Sequence, residues 1–429
     1  MKTGNARNSA PTTDVVSSLT NVVRAGAGRC VACGMCLPHC PTYKKTKSEL
    51  ESPRGRLSLM LALDKGELEP SAKLESHLSL CLLCRACETV CPAGVPFGDV
   101  MDATRARLQT DRPASFARRM SSLALVSLAQ PRWARLSATL LRFYQRSGLQ
   151  TALRITGMLR LSGLKELDAE LPPLARYLPL ATHYRTHCQR RGTVALFTGC
   201  VARLTDAETL HSAVRVLTAL GYDVQVPANQ SCCGALHRHG GDARRADELM
   251  RRNIEAFVTD DVEAIITTAS GCAATLVEYQ DAAGNTFAKK VVDISAFVAN
   301  LTWPAEVVLR PLPKRIAVHD PCTLVNVLRS RQAPYTLLKK IPDAAIVALP
   351  GNNQCCGAAG AYHLEHPQMA HTLRDDKIES LRRQIPDILA TSNIGCAMHI
   401  AAGIRAAGLS VEMAHPITLL ARQLDGKAV

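Results

Sequence analysis

The apolar positions of this chain follow two regimes. Over residues 53–80 and 115–164 they recur at helical spacing, and from residue 192 they gather in short runs separated by helix-length stretches. Ser52 is a reasonable N-cap, Pro53 suits a first helical position, and LSLMLAL then runs to Gly66, which predicts one helix. A second short helix over about 70–80 delivers Cys81. The section SFARRMSSLALVSLAQPRWARLSATLLRFYQRSGLQTALRITGMLRLSGL is basic as well as apolar, and Pro131 divides it into two helices. Leu136, Leu140 and Phe143 fall at i, i+4 and i+7 and share a face, and Leu125 and Leu128 pair at i, i+3. Arg118, Arg119, Arg132, Arg135, Arg142 and Arg146 supply the charge. Such helices lie on a membrane surface, dock on a partner, or serve as an ordinary connector packed on their own domains. After residue 192 the runs TVALFTG (193–199), AIITTAS (264–270), RIAVHD and DILATSN predict short buried strands in an α/β arrangement.

That α/β region contains an internal repeat. Cys200 follows a strand, Cys232-Cys233-Gly234 comes next, and Cys272 follows another strand. Cys322, Cys355-Cys356-Gly357 and Cys396 repeat the pattern at offsets of 122, 123 and 124 residues. The contexts NQSCCGA and NNQCCGA agree as well. Each unit thus gathers four thiols, some of them at the C-terminal ends of strands, where open α/β sheets place their sites. Gly234 and Gly357 let the backbone approach closely or take φ > 0. An iron–sulfur cluster, a four-cysteine zinc site and thiol–disulfide chemistry all remain open for these units.

The cysteines nearer the N-terminus are more specific. Cys30, Cys33, Cys36 and Cys40 are spaced C-x2-C-x2-C-x3-C before Pro41, and Cys81, Cys84, Cys87 and Cys91 repeat that spacing before Pro92. Three thiolates on one tight loop reach three corners of a cubane, and the fourth corner needs a distant ligand. This is the pattern for two [4Fe–4S] clusters in which each fourth cysteine serves the other cluster. The expected sets are Cys30, Cys33, Cys36 and Cys91, and Cys81, Cys84, Cys87 and Cys40. Zinc sites pair C-x2-C units rather than tripling them, so a zinc ribbon is a poor alternative. About 40 residues of largely helical chain between the runs indicate an α-helical ferredoxin module. Arg54 and Arg56 read equally well as surface charges or as basic residues stabilising a reduced cluster. His183, His187 and Cys188 in HYRTHC look like a metal fragment, although such an isolated group is usually incidental.

Composition adds limits. The chain has 429 residues, enough for two or three domains, and no apolar run long enough for a transmembrane helix. Its first 20 residues are polar and read as a loose tail without a secretory signal. Seventeen cysteines in so large a chain suggest reduced, metal-binding thiols and a cytoplasmic location. The formal charge of +14 invites nucleic acid, but aromatics are only 4 % and no recognition motif appears, which favours an acidic partner subunit or anionic lipid.

From about residue 22 onward the chain resembles the iron–sulfur subunits of bacterial glycolate oxidase. The resemblance rests on CVACGMCLPHCPTY, SPRGR, CLLCRACETVCPAGVPFGDVMD, TASGC, HDPCTL, CCGAAGAY, RDDKI and TSNIGC. Broader relatives are heterodisulfide reductase catalytic subunits, the iron–sulfur subunit of anaerobic glycerol-3-phosphate dehydrogenase and lactate-utilisation proteins. It implies an electron-transfer subunit beside FAD-binding dehydrogenase partners that oxidise a 2-hydroxy acid such as glycolate. Electrons would pass from the partner's FAD towards a quinone or another acceptor that is not NAD, peripherally at the cytoplasmic face of the inner membrane. No GxGxxG follows a strand here, so the flavin belongs on partners. A lactate or glycerol-3-phosphate dehydrogenase subunit, or a heterodisulfide-reductase-like thiol–disulfide enzyme, is the alternative. The fuller CCG units of the heterodisulfide reductases end in C-x-x-C, whereas Thr275 and His399 stand at the final position here. This weakens the case for a five-thiolate cluster and leaves His399 either a candidate nitrogen ligand beside Cys322, Cys355, Cys356 and Cys396 or, as is commoner for a histidine beside a site, a hydrogen-bonding partner.

The expected fold is α+β and multidomain: a flexible tail (1–21), a helical two-cluster ferredoxin domain (22–110), a basic helical connector (111–191) and two tandem α/β CCG domains (192–308 and 314–425). The Pro-rich LRPLPK joins the last two.

Overall fold

A computed structural model describes residues 13–110, 131–161, 164–174, 178–257, 261–280 and 286–425. The chain divides into two compact units, Met1–Ser122 with Leu236–Arg245, and Leu123–Ala235 with Ala246–Val429. Helix and sheet are both present, as the α+β reading expected.

The first unit is helical. Its helix Thr13–Ala27 begins inside the stretch expected to be a loose tail, which corrects that expectation for residues 13–21; residues 1–12 lie outside the described residues. Val23 and Ala27, one turn apart, are buried, and the helix packs on Phe97–Thr110 and Pro53–Lys65. Pro53–Lys65 starts where the caps predicted: the Ser52 hydroxyl accepts from the Gly55 N–H at 2.9 Å, and Gly66 ends the helix at φ 75°. Ala72–Ser79 is capped likewise by Ser71 and leads to Cys81. Leu57, Met60, Leu63, Leu74, Leu78, Val100 and Met101 form the core these helices enclose.

Arg56 is fully buried, so a surface role does not apply to it. Its guanidinium pairs with Glu51 at 2.5 Å and donates to the Thr42 hydroxyl, the Glu51 carbonyl and the His77 carbonyl at 3.0, 2.7 and 2.9 Å. Arg54 stays largely on the surface, pairing with Glu49 at 2.6 Å and donating to the Ala32 carbonyl.

The second unit holds two sheets. The first has strands β1 (His183–Tyr184), β2 (Gly192–Phe197), β3 (Tyr222–Gln225), β4 (Ala264–Thr267) and β5 (Val291–Asp293), ordered β1-β3-β2-β4-β5. The second has β6 (Arg315–His319), β7 (Ala345–Ala348), β8 (Ile388–Thr391) and β9 (Glu412–Ala414), ordered β7-β6-β8-β9. Apart from the antiparallel β1, every pairing is parallel and the two orders coincide. The repeat in sequence is therefore a repeat in topology. β4 and β8 are buried at every position, as parallel strands covered on both faces require. One apolar core, including Val194, Leu196, Ile266, Ile316, Val318 and Ile388, runs through both repeats. Leu309 of the Pro-rich stretch is buried in that core and bridges to Leu424.

Ahead of the sheets, a helix starts at Pro131 and runs to Arg146. Its Leu136, Leu140 and Phe143 are exposed by 48 %, 59 % and 65 %. Asp168 gathers the Tyr144 hydroxyl, the Gln150 amide and the Arg154 guanidinium within 2.8 Å. Leu125, Leu128, Arg118 and Arg119 lie outside the described residues. Among the described residues no helix is long and apolar enough to cross a membrane.

Candidate metal centres

The first unit presents two adjoining cavities walled by the eight ferredoxin-type cysteines. Cys30, Cys33, Cys36 and Cys91 line one, of ≈ 450 Å³, with Arg54, Leu57 and Phe97. Cys40, Cys81, Cys84 and Cys87 line the other, of ≈ 340 Å³, with Thr42, Arg56 and Arg85. Each run's fourth cysteine thus lies among the first three of the other run, and Cys87 borders both cavities.

Local backbone produces this arrangement. Ala32 and Gly34 in the first loop take φ 54° and 80°, and Leu83 and Arg85, at the equivalent places in the second, take 50° and 57°. Three of these four are not glycine, so the left-handed backbone is held by its surroundings at a cost of about 1–3 kcal/mol per residue. Such alternation collects backbone N–H groups into a concavity suited to an anion. The Leu83 N–H approaches the Cys81 sulfur at 3.5 Å, and the Arg54 N–H donates to the Cys36 sulfur from the first turn of Pro53–Lys65. Burial pushes the Cys36 and Cys87 thiols up, Cys87 strongly, with Cys84, Cys81, Glu88 and Cys40 adding their negative charge around Cys87. Thiols held this way favour a cation that replaces their protons.

Beside these cavities, Asp102 accepts from the Arg238 guanidinium at 3.0 Å and pairs with the His239 ring at 3.1 Å. Although burial opposes it, His239, Arg238 and Arg105 hold its carboxyl below the usual range. Arg105 donates to the Cys81 and His239 carbonyls at 2.9 and 3.0 Å, tying the second cysteine loop to the segment Leu236–Arg245 of the same unit.

In the second unit the eight repeat cysteines cluster at the C-terminal ends of the strands, where strand order reverses around β2/β4 and β6/β8. Cys200 lies 3.4 Å from Cys232, and Cys233 bonds the thiols of Cys232 and Cys272. In the second group Cys355 accepts from Cys322 and Cys356, and Cys356 also meets Cys396. Neighbouring thiols and burial raise Cys200, Cys233 and Cys356. Cys355 is held well below its usual value by the Cys322 and Cys356 thiols, the Gly357 N–H and Lys377. Ser270 and Ser392 join the two thiol regions, the Ser270 N–H donating to the Ser392 carbonyl at 2.9 Å.

Gly234 and Gly357 both adopt positive φ, 81° and 92°, as their place beside paired cysteines predicts. A Cβ on Gly357 would lie 2.6 Å from the Ala370 carbonyl oxygen, against 3.3 Å to that of Ala246 for Gly234. Gly357→Ala is therefore expected to cost several kcal/mol, combining about 1–3 kcal/mol of backbone strain with about 1–3 kcal/mol of overpacking. Gly234→Ala should cost only the first, and thermal midpoints of the two variants check the order.

His399 is not brought to the thiols. Its Nδ1 pairs with the Glu170 carboxylate at 2.8 Å and its Nε2 donates to the Ala370 carbonyl at 3.2 Å. His319 stands there instead: one of its ring nitrogens and the sulfurs of Cys356 and Cys396 all lie within 4.8 Å of one another. Lys377, 1 % exposed, donates to the Gly351 carbonyl at 2.6 Å and faces the same four thiols. His319 sits in HDPCTL, three residues before Cys322, which is its signal in the sequence; Lys377 in RDDKI lies far from any cysteine along the chain and has none. Cys188 and His183 are exposed, and the Cys188 thiol donates to the Ala219 carbonyl at 3.6 Å.

Comparison with known families places these features. A 4Fe-4S dicluster domain model matches residues 26–95, and a cysteine-rich domain model matches 194–277 and 316–401. The linker region of the glycolate oxidase iron–sulfur subunit matches 116–171. A probable glycolate oxidase iron–sulfur subunit of Bacillus subtilis is 34 % identical over 89 % of this chain and 90 % of its own length. The glycolate oxidase iron–sulfur subunit of Escherichia coli is 32 % identical over 88 % of this chain and 90 % of its own. Lactate utilization protein A of Geobacillus thermodenitrificans is 28 % identical, over 52 % of this chain and 95 % of its own. The likeness over nearly the whole length, linker included, settles the family: the chain belongs to the glycolate oxidase iron–sulfur subunits.

Proposed function

We propose that this chain is the iron–sulfur electron-transfer subunit of a flavin-dependent complex oxidising glycolate to glyoxylate. The observation that carries this reading is the crossed grouping of eight thiols around two adjoining cavities in a chain of this family. In this reading Cys30, Cys33, Cys36 and Cys91 hold one [4Fe–4S] cluster, and Cys81, Cys84, Cys87 and Cys40 hold the other. Bound clusters supply one-electron transfer, which suits a chain standing between a two-electron flavin on partner subunits and a quinone or other acceptor. The chain's own part is to hold and tune. The Arg54 N–H and the N-terminal end of Pro53–Lys65 offset negative charge at Cys36, while Leu57 and Phe97 keep water from the thiols.

The boundaries 111–191, 192–308 and 314–425 are retained for the connector and two CCG domains, and the ferredoxin module of 22–110 is extended back to Thr13 by its first helix. A peripheral position at the cytoplasmic face of the membrane accords with the net charge of +14 and the exposed Leu136, Leu140 and Phe143. A lactate-oxidising assignment is weaker, because the lactate-utilisation relative covers only 52 % of this chain.

The test is anaerobic EPR of the complex with its flavoprotein partners. Glycolate should reduce the clusters, and about eight irons per chain should be found. Cys84→Ser should leave flavin bleaching by glycolate intact and stop reduction of the acceptor. Cluster reduction by lactate but not glycolate would transfer the assignment to the lactate enzymes, and full acceptor reduction without this chain would end it.

A further inference from the structure

The two CCG sites share their cysteine pattern and their topology but not their surroundings. Phe197, the last residue of β2, pairs in register with Thr267 of β4; His319, the last residue of β6, pairs in the same way with Thr391 of β8. Asn253, which bonds the Ser231 N–H and the Cys232 carbonyl in the first repeat, has Lys377 as its counterpart in the second. The second site therefore has an imidazole and a cation where the first has a phenyl ring and an amide.

His319 is 1 % exposed. Its Nδ1 bonds the Thr391 hydroxyl at 3.0 Å, and its Nε2 has no hydrogen-bond partner. An orphaned buried nitrogen costs about 1–3 kcal/mol, and this one stands among thiols. A tetrahedral zinc ion, with Zn–S near 2.3 Å and Zn–N near 2.0–2.1 Å, brings its donor atoms to roughly 3.3–3.8 Å from one another. The convergence of His319, Cys356 and Cys396 within 4.8 Å approaches that spacing. Among the described residues no other three such donors converge so closely, the ferredoxin-type cysteines included.

We propose that the second CCG site is a mixed nitrogen–sulfur centre for one tetrahedral divalent cation of the zinc class, with His319 Nε2, Cys356 and Cys396 as ligands and the fourth drawn from Cys322 and Cys355. Three thiolates and a neutral imidazole around a divalent ion carry one net negative charge, and the buried Lys377 ammonium offsets it. The Thr391 hydroxyl, accepting a hydrogen bond from Nδ1–H, turns Nε2 towards the metal, and the Asn393 amide donates to the Cys396 sulfur at 3.3 Å. The first site, without this nitrogen, is not part of the assignment, and neither is the electron path proposed above.

Metal analysis of the anaerobic full-length complex is the test, followed by replacement with Co²⁺, whose thiolate charge-transfer and ligand-field bands report the donor set. About one zinc per chain is expected, with a tetrahedral nitrogen–sulfur Co²⁺ spectrum. His319→Ala should weaken Co²⁺ binding at least tenfold while the EPR of the ferredoxin module is unchanged. His319→Cys should restore binding and increase the charge-transfer intensity, and this variant decides the matter if the alanine variant fails to fold. An unaltered Co²⁺ spectrum in both variants would overturn the assignment. So would iron and sulfide clearly above the content of two four-iron clusters, lost in Cys396→Ser.

Discussion

Cys40→Ser is expected to remove about four of eight irons and to erase the EPR signature that Cys84→Ser also erases, leaving the signal lost in Cys33→Ser. The reason lies in the crossed cavities. Cys40 follows the first run in sequence but lies among Cys81, Cys84 and Cys87 in space. It is buried, with its sulfur 3.3 Å from the Thr42 hydroxyl and 3.6 Å from the Glu51 carbonyl, so solvent has little access to take its place as a ligand. Serine keeps the shape but not a thiolate that ionises near neutral pH. Cys91→Ser is the mirror case and should match Cys33→Ser. A Cys40→Ser spectrum matching that of Cys33→Ser would mean that each run serves its own cluster, and the crossed assignment would fail.

The second large effect is expected at Arg56. Arg56→Met keeps the length of the side chain but takes from the buried Glu51 carboxylate its guanidinium partner at 2.5 Å, leaving it the His77 ring alone. It also removes the guanidinium's hydrogen bonds to the Thr42 hydroxyl and the His77 carbonyl, and leaves the Glu51 carbonyl with the Thr42 hydroxyl and Cys40 thiol alone. Removing one member of a buried ion pair costs about 3–5 kcal/mol. The denaturant midpoint for loss of cluster absorbance, followed anaerobically, should fall accordingly. Replacing both partners, Arg56→Met with Glu51→Leu, should recover much of the loss, because no uncompensated charge then stays buried. Arg54→Ala, which loses only surface partners, should barely move the midpoint. A single Arg56→Met variant as stable as the parent would refute this account of how the module is held.

What was legible in the chain itself was mostly local. The C-x2-C-x2-C-x3-C spacing, the Ser52 cap and the Gly66 stop act over a few residues, so pattern and conformation correspond directly. The CCG repeat was legible because a duplicated sequence folds twice, as the matching orders of the two sheets demonstrate. The helix Thr13–Ala27 was missed because it was read together with the polar residues ahead of it, although Val15, Val16, Leu19, Val22 and Val23 recur at helical spacing. Its buried residues, Val23 and Ala27, acquire meaning only against Phe97–Thr110.

Non-local placement was decided by tertiary structure. Arg54 and Arg56 are two residues apart and look alike in the sequence, but two positions on a helix point about 200° apart, one to solvent and one into the core. His399 stands three residues after Cys396 and His319 three before Cys322, so spacing alone favours neither. The helix Ile394–Ala406 carries His399 to Glu170, while the parallel register of β6 with β8 sets His319 against Thr391, beside Cys396. Which residues can hold a metal was written in the chain as cysteine spacing. Which imidazole and which cation stand beside those thiols was settled only when strands far apart in sequence paired, because register between distant strands is fixed by the packing of the whole core.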